Sequence, residues 1–286
     1  MGLHRGTREH HRSDVGGDGG RDRHRSAAGG SRAGRRGRQP TVSRAAGPPV
    51  EESLLSQAVH LAKSAGQVTM RWYDGSPEVM VKEDGSPVTE ADRAAERLLR
   101  SELAQHFPED GIVGEEFADT SGSSGRTWFI DPIDGTQSFI RGVPLFATLL
   151  ALEDEHGVAV GVIDLPALGE TMAAGRGRGC YLNERAVSVR RRSDLEGAAM
   201  CTSGFDLLPE DMAERLHAGP MILRGWGDAY GYSLVASGRV DAMLDPIVNP
   251  WDVAPMAVIL PEAGGRFTDL SGELSFRSVT GLATNG

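Results

Sequence analysis

Two cysteines, Cys180 and Cys201, are all that the 286 residues contain. They are too few for a disulfide framework and stand in no zinc-ligand pattern, so a reducing cytoplasm is the expected setting. Long apolar runs are missing as well. No stretch is long and apolar enough to cross a bilayer, and the N-terminus lacks the apolar core of a secretory signal. No internal repeat is visible. Positive charge is scarce outside the N-terminal segment. Eleven arginines against four acids (Glu9, Asp14, Asp18, Asp22) give residues 1–50 a net charge of +7. With −10 for the whole chain, residues 51–286 carry −17. So acidic a body argues against nucleic acid as a partner and favours cations, metal ions or cationic small molecules.

Residues 1–50 also have almost no large apolar side chains. Rich in Gly, Arg and Ser, they cannot bury enough surface to offset the entropy of ordering, and a disordered extension is expected there. A nucleic-acid arm or a transit peptide is the functional alternative, the former implying salt-sensitive binding. The remaining 236 residues can hold a large core, as one domain or two packed halves. A charged stretch, Arg190-Arg191-Arg192-Ser193-Asp194, is the expected boundary between a half over 51–190 and a half over 191–286.

Helical spacing of Leu54, Leu55, Ala58, Val59, Ala62, Ala65 and Val68 predicts an amphipathic helix from Glu51 to about Tyr73. Residues 79–88 read as an extended excursion broken by a turn at Glu83-Asp84-Gly85. Thr89 caps a second helix that Pro108 ends. Thr127 to Ile130 is a buried strand expected to stop at Asp131. Further strands are expected over 146–152, 158–165, 171–174 and 180–182. Beyond the boundary, strands near 198–202, 221–223, 240–244 and 264–268 alternate with helices over 210–217, 230–237 and 252–263. That alternation suits a mixed α/β layered fold.

The chemistry lies in the acids. A phosphatase without a covalent nucleophile needs two or more hard cations, bound by carboxylate, carbonyl and water oxygens. Asp131-Pro132-Ile133-Asp134-Gly135-Thr136 supplies two carboxylates at a strand end. Gly135 and Thr136 follow as a helix start suited to phosphate. Gly114-Glu115-Glu116 and Trp251-Asp252-Val253-Ala254 add further acids.

Together, and in this order, these motifs and the trailing Glu262-Ala263-Gly264-Gly265 resemble the inositol monophosphatase superfamily. The resemblance spans about residues 51–286 and implies a five-layer αβαβα sandwich, dependence on magnesium, with manganese as a substitute, and a homodimer. It further implies that Glu115, Asp131, Asp134, Asp252 and the Ile133 carbonyl hold two or three ions. Thr136, paired with Asp92, would orient the attacking water. Relatives continue with a short segment beyond Gly281–Gly286, so a closing helix or strand is expected to be missing.

Substrate choice must come from the flanks. Trp226-Gly227-Asp228-Ala229-Tyr230-Gly231-Tyr232 and Asp245-Pro246-Ile247-Val248-Asn249 combine acids with aromatic rings, which suits an amine or imidazolium better than a neutral polyol. These segments resemble the histidinol-phosphate phosphatase branch of the family. That resemblance implies L-histidinol phosphate as substrate, with Asp228, Asp245, Asn249 and Trp226 around the histidinol moiety. An inositol or sugar monophosphatase is the alternative within the class, and a non-catalytic metal-dependent binding protein the alternative outside it.

Overall fold

The computed structural model describes residues 47–73, 79–81 and 87–286. The turn expected at Glu83-Asp84-Gly85, and all of the Arg-rich extension but its last four residues, lie outside the described residues. Those last four are tied down. Arg176 donates to the Pro48 carbonyl at 2.9 Å, and the Val50 N–H donates to the Arg176 carbonyl at 3.0 Å. The packed chain therefore begins ahead of the boundary expected at residue 50.

Helix α1 (Glu52–Tyr73) and helix α2 (Glu90–His106) follow the expected periodicity, flanking a small hairpin of β1 (Val79–Val81) and β2 (Pro87–Thr89). Seven strands then form one sheet in chain order: β3 (Gly111–Gly114), β4 (Thr127–Asp134), β5 (Ala147–Asp154), β6 (Gly157–Leu165), β7 (Glu170–Gly175), β8 (Gly179–Leu182) and β9 (Arg185–Ala186). Only β3 and β4 run parallel.

The second sheet is built from β10 (Ala199–Thr202), β11 (Ile222–Arg224), β12 (Ala242–Asp245), β13 (Arg266–Thr268) and β14 (Gly281–Thr284), in the spatial order β11-β10-β12-β14-β13. Strand β14 is an inner strand of this sheet, between β12 and β13. A short helix α3 (Thr136–Phe139) joins β4 to β5, and helices α4 (Glu210–Ala218), α5 (Asp228–Ala236), α6 (Pro250–Val253) and α7 (Met256–Glu262) lie between the strands of the second sheet in sequence.

The cores show the layering. On one face of the large sheet, Trp128, Ile130, Leu150 and Val160 pack with Leu61, Ala62 and Leu99 of α1 and α2. On the other, Phe129, Leu149 and Ala151 pack with Val235, Val258 and Ile259 of α5 and α7, which in turn meet Cys201, Met243 and Ala283 of the second sheet. Leu216 of α4 covers Met200 and Leu244 on that sheet's outer face. Helices, sheet, helices, sheet, helix: the five layers are those expected. Because the large sheet is covered on both faces, its inner strands read as continuous apolar runs rather than alternating ones.

Two local expectations change. Strand β4 does not stop at Asp131; it runs on to Asp134, with the register against β5 shifting between those residues. Pro132 has no N–H to give the ladder, so the strand bulges there and resumes. The single helix expected over 252–263 is broken into α6 and α7, because Pro255 cannot donate back to the previous turn.

Candidate active site

Strand parity places the first ligand candidate. Trp128 and Ile130 face α1 and α2, while Phe129 faces the middle helices. Successive side chains alternate, so Asp131 falls on the Phe129 side, toward α5 and α6. Its Oδ1 accepts the Ile133 N–H at 3.0 Å, a local turn that folds the bulge back on itself. Thr136 Oγ1 donates to the Ile133 carbonyl at 3.1 Å. Gly135 between them has φ +81, and a Cβ there would meet the Leu145 carbonyl at 3.0 Å and Asp228 Oδ2 at 3.1 Å. Only glycine fits both the left-handed backbone and the space. Asp134 accepts the Ala229 N–H at 2.6 Å, which pins the start of α5 against the bulge.

The other acids arrive from separate elements. Asp252 sits in the first turn of α6 and accepts the Asn249 N–H at 2.7 Å. Glu115 follows β3 directly. Asp92, in the first turn of α2, accepts the Thr89 N–H at 2.8 Å and the Thr89 hydroxyl at 2.6 Å through one oxygen. Its other oxygen, Oδ1, is buried with no hydrogen-bond partner.

Four of these carboxyls, Asp131, Asp134, Asp252 and Asp92, are pushed upward, each chiefly by burial. Burial, then Glu115, Asp134 and Asp252, raises Asp131 well above the usual carboxylate range. Burial, then Asp228 and Asp252, does the same to Asp134, against the lowering effect of the Ala229 N–H. Asp252 is raised to about 7 by burial, opposed by Asn249 and reinforced by Glu115 and Asp245. Asp92 is raised to about 6 by burial, with Thr89 opposing and Glu115 adding. After burial, the charged groups that act on these carboxyls are other acids, Glu115, Asp134, Asp228, Asp245 and Asp252, and no arginine, lysine or histidine is among them. So many carboxylates crowded without a protein cation form a donor set that suits hard, oxygen-seeking divalent ions. Among the described residues, no group of three or more Asp, Glu, His or Cys side chains is placed so as to hold a metal ion by itself.

The flanking residues take different places around the cluster. Asp228 is brought to the cluster, its carboxylate over Gly135, at a backbone φ of 53 that non-glycine residues rarely adopt. Asp245 is 4% exposed, and its carboxylate accepts from the Ser203 hydroxyl and N–H. Parallel pairing explains why: Thr202 is level with Leu244, so Ser203 and Asp245 emerge side by side from β10 and β12. Ser203 Oγ in turn accepts the Asp228 N–H at 2.7 Å. Asn249 is exposed and acts on Asp252 through both its backbone N–H and its side chain, in a capping box. Trp226 is 42% exposed, with the Arg224 guanidinium 5.8 Å from its ring centre, so the protein's own cation stands at the ring. The hydroxyl of Thr136 donates to Ile133, not to Asp92.

Sequence reasoning missed Glu96, a fully buried acid in α2 that accepts the Glu116 and Phe117 N–H groups at 2.8 and 3.2 Å. The available signal was its place four residues after Asp92, on the same helix face.

Comparison with known proteins identifies the family. A model of the inositol monophosphatase family matches residues 50–286. A histidinol-phosphatase of Chlorobaculum parvum is 42% identical over 238 residues, covering 80% of this chain and 91% of that protein. A histidinol-phosphatase of Mycobacterium tuberculosis is 37% identical over 242 residues, covering 81% and 93%. Among solved structures, an IMPase from Thermotoga maritima superposes with a TM-score of 0.75 at 32% identity, over 82% of this chain and 92% of its own. With a bulged strand, two capped helix starts and a strand-end turn converging on one acidic pocket, this chain belongs to the inositol monophosphatase family.

Proposed function

We propose that this chain is a phosphomonoesterase that hydrolyses L-histidinol phosphate to L-histidinol and inorganic phosphate. The observation that carries the reading is the cluster of buried carboxylates, raised first by burial and further by one another, with Asp228 added at its rim. The two curated relatives above bear the name histidinol-phosphatase. The family is metal-dependent, generally on magnesium, and two or three Mg2+ ions, replaceable by Mn2+, are proposed here. Glu115, Asp131, Asp134, Asp252 and the Ile133 carbonyl would hold them. When bound, such ions supply Lewis acidity that makes water a competent nucleophile near neutral pH.

The chain's own residues do the rest. Thr136 gives its proton to the Ile133 carbonyl, which leaves its oxygen lone pairs to accept from the attacking water. Asp92 Oδ1, unpaired and raised to about 6, takes the proton that water loses. The water oxygen bonds to phosphorus while the ester P–O bond breaks on the opposite side. The departing oxygen collects a proton to become the histidinol hydroxyl. No phosphoenzyme forms, and the phosphorus inverts. The Gly135 and Thr136 N–H groups are the proposed phosphate contacts. Asp228 offers the substrate's ammonium or imidazolium a charged partner. Asp245 and Asn249 support that rim from behind, and Trp226 borders it.

Phosphate release with added Mg2+, measured on histidinol phosphate, inositol 1-phosphate and an aryl phosphate, tests this. The highest kcat/KM is expected for histidinol phosphate. Faster turnover of inositol 1-phosphate would transfer the chain to the polyol phosphatases, and no release from any ester would favour a binding protein. Asp228→Ala is expected to raise KM for histidinol phosphate about tenfold or more, the worth of one charged hydrogen bond, and to spare the aryl phosphate. Equal losses on both substrates would remove Asp228 from substrate choice.

A further inference from the structure

Helix α2 carries Asp92, Glu96 and Arg100 four residues apart, which puts all three on one face about 6 Å apart along the axis. The first reaches the carboxylate cluster. The other two grip the turn that carries Glu115. Glu96 is 0% exposed, and its two oxygens accept the N–H groups of Glu116 and Phe117, the residues directly after Glu115. Glu96 Oε1 also pairs with Arg100 Nε at 2.8 Å. Arg100 then donates to the Phe117 carbonyl at 2.9 Å and to the Thr120 hydroxyl at 3.2 Å. Thr120 returns the loop to β3, exchanging two 2.8 Å backbone hydrogen bonds with Ile112.

On the other side of Glu115, Gly114 leaves room for this grip. A Cβ there would collide with Glu96 Oε1 and stand 2.8 Å from an Arg100 nitrogen. Glu115 is thus flanked by a residue that must be glycine to admit the clamp and by two whose N–H groups the clamp holds. Buried charge of this kind is costly to maintain for stability alone, since a hydrophobic replacement is often as stable. Its geometry serves something other than packing.

We propose that Glu96 and Arg100 are positioning residues that fix Glu115 for metal binding, acting through the backbone of Glu116 and Phe117. This rests on Glu115 being a metal ligand. Because Asp92 shares the helix face, one rigid element sets both Glu115 and the group that takes the proton.

The test is Mn2+ binding by calorimetry on the full chain, paired with the half-saturating Mg2+ concentration for phosphate release. Glu96→Gln keeps the shape but turns one acceptor into a donor facing N–H groups. It is expected to weaken the Mn2+ dissociation constant by about tenfold or more, the usual effect of losing a partner behind a metal ligand. The Mg2+ requirement is expected to rise in step, with much of the turnover recovered at high metal. Arg100→Lys, which keeps the charge and loses the fork, is expected to move both in the same direction by less, and it carries the test if Glu96→Gln does not fold. A purely structural clamp would lower the unfolding temperature of the metal-free protein and leave the dissociation constants within twofold of wild type. That result would overturn the proposal. A wild-type chain that binds no Mn2+ would remove the metal reading, and the clamp's role with it.

Discussion

Asp131→Asn is expected to lower turnover by roughly three powers of ten or more, while the folded structure persists. Losing a partner behind a ligand costs about 10–100-fold, and losing the ligand's charge itself costs more. Asp131 is buried on the shared face of β4, with Glu115, Asp134 and Asp252 all close enough to raise its pKa. An Asn there keeps the side-chain oxygen that accepts the Ile133 N–H, so the bulge survives. What it removes is a full negative charge from the centre of the site. Asp134→Asn is expected to fall as far, and its oxygen can still accept from Ala229. Steady-state kinetics at saturating Mg2+, with circular dichroism as the control for folding, read this directly. Near-normal rates in both variants would mean that the acids are not ligands.

The second large effect concerns stability, and its sign follows from the raised pKa values. A carboxyl whose folded pKa lies above its unfolded value holds its proton more tightly in the folded state. Its contribution is complete below the ordinary value of about 4 and is lost as pH rises through the folded value. Asp92 and Asp245 ionise at about 6 and Asp252 at about 7, with Asp131 and Asp134 also raised. The metal-free protein should therefore lose stability between about pH 4 and pH 7, by an amount on the order of a few kcal/mol. Divalent ions bind the ionised form and reverse the loss. Thermal unfolding is expected to show Mg2+ raising Tm by about 10 °C at pH 8, given roughly 2–4 °C per kcal/mol at this size. A much smaller rise is expected at pH 5. A metal-free protein more stable at pH 8 than at pH 5 would contradict the crowding of these acids.

How much of this could be read in advance differs between elements for physical reasons. Helices α1 and α2 announce themselves because their burial repeats at a helical interval, and strand β5 because it is a nearly unbroken apolar run. The acidic motifs are equally plain, since each combines a strand end or helix start with a residue type that burial disfavours. The bulge at Asp131–Asp134 was less so. Pro132 marks an interruption in pairing, but whether the strand ends or resumes depends on β5, fifteen residues away in sequence. The same holds for Asp245. Its neighbours in sequence do not show that parallel pairing of β12 with β10 sets it beside Ser203. Glu96 was hidden by a different cause. Within α2 it reads as one more charged residue on a surface helix, and only the turn after β3 reveals that its face is interior. Local pattern thus identifies the groups that do chemistry, and long-range pairing decides which of them face the substrate and which stand behind it.

Manganese soaked into crystals of the protein, located by its anomalous scattering, examines the metal centre without relying on turnover. The expected result is density between Glu115, Asp131, Asp134 and Asp252, with an ion within bonding distance of the Ile133 carbonyl. Crystals that take up manganese only at surface acids, leaving that cluster empty at saturating concentration, would contradict the assignment.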